Sequence, residues 1–480
     1  MTEKKVEDPM RKPNIVFFIP DSYRGDVLGH LGNPAAVTPN LDRMVSDGAA
    51  SYANAFAQNP VCTPSRCSFM TGWYPHVHGH RSMLNMLKPH EPNLLSILMR
   101  EGYHVWWGGK NDLVRVEDKG DYYNYCHDKF SDPDGKYLEL ADHGCKTPPP
   151  PAEDDPRRGA FYTGVARKDE EGTPYRSGDE AIVHGAVDFI RNRNEEKPFF
   201  LFLPLGLPHP EYLVEEEFYN AIDPSRLSPR IPVPEAEANL LPALEDMRRE
   251  METGSVTEET WREVKRIYYA MCAKVDSIFG LVVAALQEAG LYDDTLILFF
   301  SDHGDFAGDY SLPEKTHLSL QDSLLRVPFI VKPPSGKEVK PGRHDELVEL
   351  VDISATIYDL LDIDPGYACQ GVSLLDSLAG RSGTIHDAVF AEVGARQGED
   401  VFMNKEVKKL SPSHFYSRQN RACRPHHLAG SHAVSCRTER YKYIRRTYTG
   451  QHELFDLEND PGETINISGR PEYAEAEQKM

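Results

Sequence analysis

The sequence predicts an α/β fold: a large, mostly parallel central sheet flanked by helices, followed by a smaller C-terminal α+β subdomain. Two observations carry this prediction. Between residues 14 and 332, continuous apolar runs alternate with segments of helical periodicity, which is typical of parallel strands buried on both faces. Over residues 440–463, apolar and polar residues alternate like a hairpin, which predicts a small antiparallel sheet.

The first half of the predicted sheet follows from two strand-and-helix patterns. NIVFFIP is a buried strand that ends at Asp21, and a helix follows Thr38, a candidate N-cap residue. The pattern repeats with a helix ended by Gly102, a short apolar strand and a glycine-rich turn that carries Lys110. Each unit adds one predicted strand to the sheet.

The second half continues the alternation. The helical segment DEAIVHGAVDFIRNR leads to the apolar run PFFLFLP and a loop that carries His209. A long helix is ended by Gly290, and the next strand, TLILFF, leads to Asp302. RVPFIVKPP is a further strand. In parallel sheets the ligand site lies beyond the carboxyl ends of the strands, so we expect the polar residues that follow these strands to meet there.

Two segments carry little regular signal. Residues 117–178 are acidic and rich in glycine and proline, and residues 396–436 are polar. We expect both to form the rim of the site, where four polar side chains are candidate substrate contacts or simply solvated: Arg421, Arg424, His426 and His427. The predicted division is a catalytic α/β domain over residues 12–385 and a C-terminal subdomain over residues 386–480.

The composition disfavours two classes of partner. The chain has 480 residues, of which 40% are hydrophobic and 27% charged, which is enough for a large core. Its net charge of −22 argues against nucleic acid as a partner. No run approaches the roughly 18 apolar residues of a membrane span, and the first residues do not fit a signal peptide. We therefore expect a cytoplasmic protein without a membrane partner.

The eight cysteines are scattered and contain no CxxC pair, which disfavours a disulfide framework and a structural zinc site. A different metal centre is predicted by FFSDHGD, where Asp302 and His303 follow a strand. Carboxylates suit hard divalent ions, and an imidazole extends the choice to manganese or zinc. Because Asp21 ends another predicted strand, these three residues are candidate metal ligands.

The segment CTPSRCSFMTG resembles the sulfatase signature, which has a cysteine, any residue, proline, serine and arginine before a Leu/Met-Thr-Gly ending. The matching residues are Cys62, Pro64, Ser65, Arg66, Met70, Thr71 and Gly72. The resemblance extends over nearly the whole chain, because further segments are similar to family segments: PNIVFFIPDSYRGD, GGKND, LPHP, YDDTLILFFSDHGD, EKTHLSLQDSLLRVPFIVKPP and HELFDLENDPGETIN.

The resemblance implies an alkaline phosphatase-like fold and a modified Cys62. In sulfatases the signature cysteine is converted to formylglycine by a formylglycine-generating or anaerobic sulfatase-maturating enzyme. One hydroxyl of the hydrated aldehyde attacks sulfur, and the other then loses its proton and expels sulfate. The alternatives for Cys62 are an inert core thiol and a disulfide with Cys67.

The resemblance also implies roles for the other site residues. Asp21, Asp302 and His303 would bind one divalent cation together with the modified Cys62. Arg66 would hold the modified residue and balance charge. Lys110, His209 and Lys315 would surround the sulfate oxygens, with His209 the candidate donor of a proton to the leaving group.

Two departures from the family pattern, together with Asn85, resemble its phosphonate monoester hydrolase branch. Ser22 follows Asp21 where many sulfatases have a second acid, and His303 replaces a frequent asparagine. Asn85 is similar to an asparagine that contacts the substrate anion in that branch, and Asp112 stands where a histidine is frequent, so both are candidate substrate-binding residues. We expect Ca²⁺ as the cation, with Mn²⁺ or Mg²⁺ as alternatives.

The predicted function is the hydrolysis of a sulfate ester, aryl or carbohydrate, to an alcohol and inorganic sulfate. The first alternative is a phosphonate monoester or phosphodiester hydrolase that uses the same nucleophile. The second is an inactive relative or binding protein whose cysteine is never converted. Every position of the family's catalytic pattern is filled, which argues against inactivity.

Overall fold

The structure is a computed structural model, and it confirms the predicted α/β fold. It describes residues 12–127, 151–152, 155–167, 178–194, 196–234, 241–381, 383–394, 396, 410–412, 414–423 and 432–480.

The central sheet contains eight strands of the described chain: β1 (Asn14–Ile19), β2 (Ala50–Phe56), β3 (His104–Gly108), β4 (Tyr125–His127), β6 (Phe199–Pro204), β8 (Thr295–Phe300), β9 (Arg326–Lys332) and β10 (Gly342–Glu349). Their order is β10-β2-β9-β8-β1-β6-β3-β4. Neighbours pair in parallel except that β9 is antiparallel to both β2 and β8. Strands β5 (Tyr162–Ala166) and β7 (Tyr212–Glu215) form a separate parallel pair.

The central strands are apolar because both faces of the sheet are covered. Every residue of β1, β6 and β8 is buried. Alternate residues of β1 enter opposite cores: Phe17 packs edge to face on Phe200 and Phe300, whereas Phe18 packs on Phe279 of a flanking helix. This burial fixes the register of β1 and with it the position of the residues that follow the strand.

The described helices are α1 (Pro39–Ser46), α2 (Cys62–Thr71), α3 (Pro75–His78), α4 (Leu94–Arg100), α5 (Gly178–Asn192), α6 (Glu216–Ala221), α7 (Pro242–Glu250), α8 (Glu258–Glu288), α9 (Asp322–Leu325), α10 (Asp352–Leu360), α11 (Leu375–Leu378), α12 (Phe415–Cys423) and α13 (Ala474–Lys479). Thr38 precedes α1 as predicted but does not cap it, because its hydroxyl accepts from Gly29 N and donates to Asp42. Gly102 and Gly290 follow α4 and α8 with positive φ, as predicted for residues that end helices.

Helix α8 corrects the expectation that no segment has the length and apolarity of a membrane span. By length and composition alone this helix could cross a membrane. In its most apolar window, however, 72% of the residues are buried inside the fold. The helix packs against α1, α5, α6 and β7. A core helix of a globular fold gives the same composition signal, because its partners cover nearly all of its faces.

The C-terminal part contains the predicted small antiparallel sheet. Its strands are β11 (Val389–Val393), β12 (Ala433–Arg437), β13 (Tyr441–Arg446) and β14 (Glu453–Asp456), paired in that order. Glu392 N donates to Gln58 O, and Lys442 pairs with Asp322, so this sheet packs on the segments that precede α2 and β9. The domain boundary at residue 385 stays a prediction.

The structure also contains strands that the sequence pattern did not predict. In the central sheet, β2 and β10 are rich in small or polar residues, and both are paired through backbone bonds within the sheet. Strands β4 and β5 lie within residues 117–178, which were predicted to be irregular. Helix α12 lies within the second such segment, residues 396–436.

Candidate active site

Four loops meet at one edge of the central sheet. Strands β8, β1, β6 and β3 are adjacent and parallel, so the segments that follow them emerge side by side. In the pairing of β1 with β8, Phe18 lies opposite Phe299, and the same register continued three residues further places Asp21 beside Asp302. The prediction that residues following the strands converge at this edge is confirmed for the acids of these two strands.

Helix α2 brings Cys62 into this edge. Val61 is the N-cap and Cys62 the first helical residue, and the spacing of four residues puts Arg66 on the same face. Pro64 is tolerated because the first turn needs no backbone donor at that position. The helix ends at Gly72 (φ 70°), where a Cβ atom would lie 2.1 Å from Cys369 Sγ. All ten residues of α2 are buried, so its position is fixed by packing.

The four predicted metal-binding residues form one cluster. One ligand atom from each of Asp21, Cys62, Asp302 and His303 lies within 4.8 Å of the others. His303 Nε2 is 3.6 Å from Asp21 Oδ1 and 3.7 Å from Asp302 Oδ1. Cys62 Sγ lies 3.2 Å from the same nitrogen and 3.7 Å from Asp21 Oδ1. These spacings leave a point that all four side chains face.

The tautomer of His303 suits a metal ligand. Its Nδ1–H donates to the carbonyl of Gly304 at 2.8 Å, which leaves the lone pair of Nε2 directed at the cluster. Burial lowers the pKa of this imidazole, against the opposite influence of Asp302, so the neutral form is favoured. Two carboxylates and one neutral imidazole are a donor set that fits a divalent cation.

Arg66 lies behind the two acids and orients them. Its Nε donates to Asp302 Oδ2 at 3.0 Å, and its Nη2 donates to Asp21 Oδ2 at 2.9 Å. The guanidinium is fully buried and its Nη1 has no partner within the described residues. Because each acid uses Oδ2 for Arg66, the Oδ1 atoms stay directed at His303 and Cys62.

Three basic side chains, Lys110, His209 and Lys315, lie close to Asp21 of this cluster. Lys110 Nζ is 2.6 Å from Asp21 Oδ2 and 3.8 Å from Cys62 Sγ. Lys315 and His209 are joined by Glu314, whose Oε1 lies 3.0 Å from Lys315 Nζ and 3.2 Å from His209 Nε2. Burial pushes the pKa of Lys315 down, but Cys62, Glu314 and Asp21 outweigh it and hold the pKa well above its usual range. The lysine is therefore a buried cation that is paired with Glu314.

The loop that carries His209 is fixed by the first turn of α5. The amides of Gly206 and Leu207 donate to the carboxylate of Asp179 at 3.0 and 2.6 Å. His209 N then donates to Gly206 O, which closes a turn and presents the imidazole toward Glu314. Asp21 N donates to Leu207 O, so this loop is also joined to the metal-binding side.

The acids and cations shift each other's ionisation. Burial raises the pKa of Asp21, but Lys110, His209, His303 and Lys315 outweigh it and hold that pKa well below its usual range. The opposite holds for Cys62, because burial and the neighbouring Asp21 raise the pKa of its thiol well above the usual value. At neutral pH this cysteine is a thiol, which is a poor nucleophile.

The two predicted substrate-binding residues lie in different surroundings. Asp112 is next to the site, with Oδ2 2.9 Å from Lys110 Nζ. Asn85 is exposed, and its side-chain oxygen accepts from Ser82 Oγ at 2.7 Å. The segment that carries Asn85 touches α2 where Thr63 N donates to Met83 Sδ. Of the predicted rim side chains, Arg421 pairs with Glu250, and the other three lie outside the described residues.

Two residues of the site have no signal in the sequence. Glu314 is buried and contacts both His209 and Lys315, and Tyr416 of α12 donates its hydroxyl to Glu314 Oε1 at 3.0 Å. Glu314 stands next to Lys315 in the sequence, but nothing in the segment PEKTH indicates that its carboxylate faces His209. Tyr416 lies in a segment predicted to be irregular.

Comparison with known proteins agrees with the geometry. A family model described as Sulfatase matches residues 13–363. An arylsulfatase of Clostridium perfringens is 27% identical over 97% of this chain and 92% of its own length. An ulvan-active sulfatase of Formosa agariphila is 26% identical over 97% of this chain and 79% of its own. The solved phosphonate monoester hydrolase of Agrobacterium radiobacter shares the fold, with a TM-score of 0.73 at 21% identity over 97% of this chain and 94% of that one. Because the family model covers most of this chain, the chain belongs to the sulfatase family and is a sulfuric ester hydrolase.

Proposed function

We propose that this enzyme hydrolyses sulfate esters with a formylglycine made from Cys62, next to one divalent cation. The observation that carries the proposal is that Cys62 belongs to a cluster of metal-binding side chains with basic side chains close by. The cluster contains Asp21, Asp302 and His303, which fit a cation. Close to the same cluster lie Lys110, Lys315 and His209, which suit the oxygens of an anionic ester.

The cation would be held by Asp21, Asp302, His303 and the modified residue 62. When bound, it supplies a Lewis acid that lowers the pKa of the nucleophilic hydroxyl. The two carboxylates favour Ca²⁺, Mn²⁺ or Mg²⁺, and the imidazole shifts the preference toward Mn²⁺ compared with an all-oxygen site. The residue after Asp21 is a serine rather than a second acid, and its hydroxyl donates to Asp21 Oδ1 at 2.9 Å.

The surroundings of Cys62 support its conversion. As a thiol with a raised pKa it is a poor nucleophile, and a sulfated cysteine or serine would need water to attack a stable ester. Cys62 is 2% exposed in a wholly buried helix, so a maturation enzyme has no access to it in the folded chain. We therefore propose that a formylglycine-generating or anaerobic sulfatase-maturating enzyme acts on Cys62 before the chain folds.

The cations would bind the sulfate group and stabilise the charge that develops on its oxygens. Lys110 and Lys315 are held by carboxylates rather than by solvent, so they need little reorganisation during the reaction. His209 has its Nδ1–H bound to the carbonyl of Pro210 at 2.5 Å, so Nε2 is the nitrogen that would protonate the leaving oxygen. Arg66 would keep the two acids in place throughout.

Phosphonate monoester or phosphodiester hydrolysis is the second candidate. His303 within the metal cluster, with Ser22 in place of a second adjacent acid, is the observation that favours it. Both candidates use the same nucleophile and the same basic side chains. They differ in the substrate anion, which is a sulfate ester in one and a phosphonate or phosphate ester in the other.

The proposal is tested by comparing turnover of an aryl sulfate and an aryl phosphonate monoester by protein matured in a host that converts Cys62. Mass spectrometry of the peptide that contains Cys62 should show a loss of about 18 Da on conversion. We expect faster turnover of the sulfate. Faster turnover of the phosphonate would favour the second candidate, and converted protein inactive on both would reject the proposal. Sulfated sugars should then be compared with aryl sulfates, because relatives are named for both kinds of substrate.

A further inference from the structure

We propose that Glu314 is a positioning residue for the leaving-group side of the site: it holds His209 and Lys315 in one arrangement, and Tyr416 of α12 holds Glu314 in turn. The inference rests on the proposed function, because it assigns a role relative to the sulfate and the leaving oxygen. It also makes a helix of the C-terminal part a component of the active site.

The geometry of Glu314 is that of a shared acceptor. Its carboxylate is 1% exposed, and three side chains approach one oxygen, Oε1: Lys315 Nζ and the hydroxyl of Tyr416 each donate to it at 3.0 Å, and His209 Nε2 lies 3.2 Å away. Its backbone amide donates to Tyr212 OH at 3.0 Å, which fixes the main chain as well. Its other oxygen is buried without a partner within the described residues. Glu314 therefore sets the positions of the Lys315, Tyr416 and His209 side chains relative to one another.

The contacts of His209 indicate what this carboxylate does. The imidazole Nδ1 faces a carbonyl and Nε2 faces Glu314, and a carbonyl or carboxylate oxygen only accepts hydrogen bonds. Pro210 O therefore faces the Nδ1 side of the ring, and Glu314 faces the Nε2 side. Burial alone would raise the pKa of Glu314, but Lys315 and His209 outweigh it and hold the pKa at about 2, so the carboxylate is ionised at neutral pH.

A carboxylate next to Lys315 and His209 would weaken the electrostatic attraction between these side chains and sulfate. Its benefit is for the chemical step, because an acid that protonates the leaving oxygen must carry its proton and be correctly placed. Glu314 meets the second need, because its buried carboxylate lies 3.2 Å from Nε2 and fixes the position of this nitrogen. Nε2 is also the ring nitrogen of His209 that does not face the backbone carbonyl of Pro210.

Helix α12 supports Glu314 from the far side. In addition to the hydroxyl of Tyr416, Gln419 Nε2 donates to Lys315 O at 2.8 Å. Phe415 stacks on Phe161 with ring centroids 4.1 Å apart, which fixes the start of the helix. The helix thus contacts both residues: Tyr416 contacts the side chain of Glu314, and Gln419 contacts the backbone of Lys315.

The test measures how the loss of Glu314 depends on the leaving group. Glu314→Gln and Tyr416→Phe are compared with wild type at equal formylglycine and metal content, on phenyl sulfate and 4-nitrophenyl sulfate. The poorer leaving group, phenol, depends more on a proton donor. We expect Glu314→Gln to lower kcat by roughly 30-fold on phenyl sulfate and by less than about threefold on 4-nitrophenyl sulfate, with KM nearly unchanged. Tyr416→Phe should show the same dependence at roughly fivefold.

Glu91 offers a matched control. It is also a buried carboxylate that contacts a histidine and a lysine, His80 at 3.1 Å and Lys88 at 3.5 Å, and its pKa is also held at about 2, where His80 and Lys88 outweigh burial. Any loss of kcat in Glu91→Gln should be the same for both substrates, because it would reflect packing.

An equal loss on both substrates in Glu314→Gln would overturn the inference. If that variant does not fold, Tyr416→Phe decides alone, since it removes one hydroxyl and keeps the ring. Wild-type protein that is converted but hydrolyses neither aryl sulfate would reject the proposed function and the inference with it.

Discussion

The two sides of Cys62 differ in how far they are open to solvent. Asp21, Asp302 and His303 are completely buried. Lys110, His209 and Lys315 keep 28%, 17% and 9% of their side-chain surface exposed. The acids follow two adjacent strands and are held by a buried arginine, whereas the cations come from three loops and are held by carboxylates.

This difference matches what each side has to bind. A metal ion needs ligands that are already placed and free of competing water, which burial behind Arg66 provides. An ester needs a path to the cations, so those side chains must remain partly open. The comparison predicts that changes on the acid side remove bound metal and activity together, whereas changes on the cation side slow the reaction and leave the metal in place.

The largest effect is expected on the acid side, from Asp302→Ala. It removes one metal ligand and one partner of Arg66, so bound metal should be lost and turnover should fall by roughly 10³-fold or more. Metal content by elemental analysis and kcat on an aryl sulfate measure the two together. Full activity in this variant would contradict the assignment of the metal site.

Asp309→Ala is the matched control for Asp302→Ala. Asp309 is a buried acid bound to Arg24, which keeps a second partner, Asp26, just as Arg66 keeps Asp21. Loss of one partner of a buried ion pair should lower the free energy of unfolding by about 3–5 kcal/mol in this control. Its metal content per folded protein should stay at the wild-type level.

Cys62→Ser tests the residue between the two sides. A serine hydroxyl has no second hydroxyl with which to expel sulfate, so sustained turnover should fall by roughly 10³-fold or more. The enzyme should react once at most and then carry about 80 Da of added mass on the peptide that contains residue 62. Sustained turnover would refute the mechanism. Cys67→Ala is the control, because no proline and arginine follow Cys67 at the required spacing, and its conversion at Cys62 should persist.

On the cation side, His209→Ala and Lys315→Ala should each lower kcat by roughly 10²-fold, the usual result of losing one preorganised group that stabilises charge. Both variants should keep their metal, which distinguishes them from Asp302→Ala. Lys88→Ala is the control, since Lys88 also pairs with a buried glutamate but does not contact the site, and kcat should change less than twofold. Unchanged kcat in both His209 and Lys315 variants would show that these are the wrong loops.

The acid side was easier to predict from the sequence than the cation side. Asp21 and Asp302 directly follow apolar runs, and the parallel order of strands brings such residues together whatever the loops do. Cys62 and Arg66 share a helix face through their spacing alone. Glu314 and Tyr416 were missed because their contact joins residues 102 apart in the sequence, and α12 has few apolar residues that would indicate a helix. Strands β2 and β10 were missed because small and polar residues interrupt their apolar pattern.

The smallest expected effect is the pH dependence of stability that Glu314 confers on the cation side. Burial opposes its ionisation, but Lys315 and His209 hold its pKa at about 2, below the ordinary 4.5. A carboxyl whose pKa is lowered in the folded state stabilises the fold fully above 4.5, and this stabilisation is lost as the pH falls toward 2. Urea unfolding of wild type and Glu314→Gln at pH 6 and pH 3 isolates this contribution, because glutamine does not titrate. The difference in the free energy of unfolding between the two proteins should shrink by about 2 kcal/mol between those pH values. A difference that stays constant would mean that the carboxylate is not held by these cations, and the contrast between the two sides of Cys62 would lose its electrostatic basis.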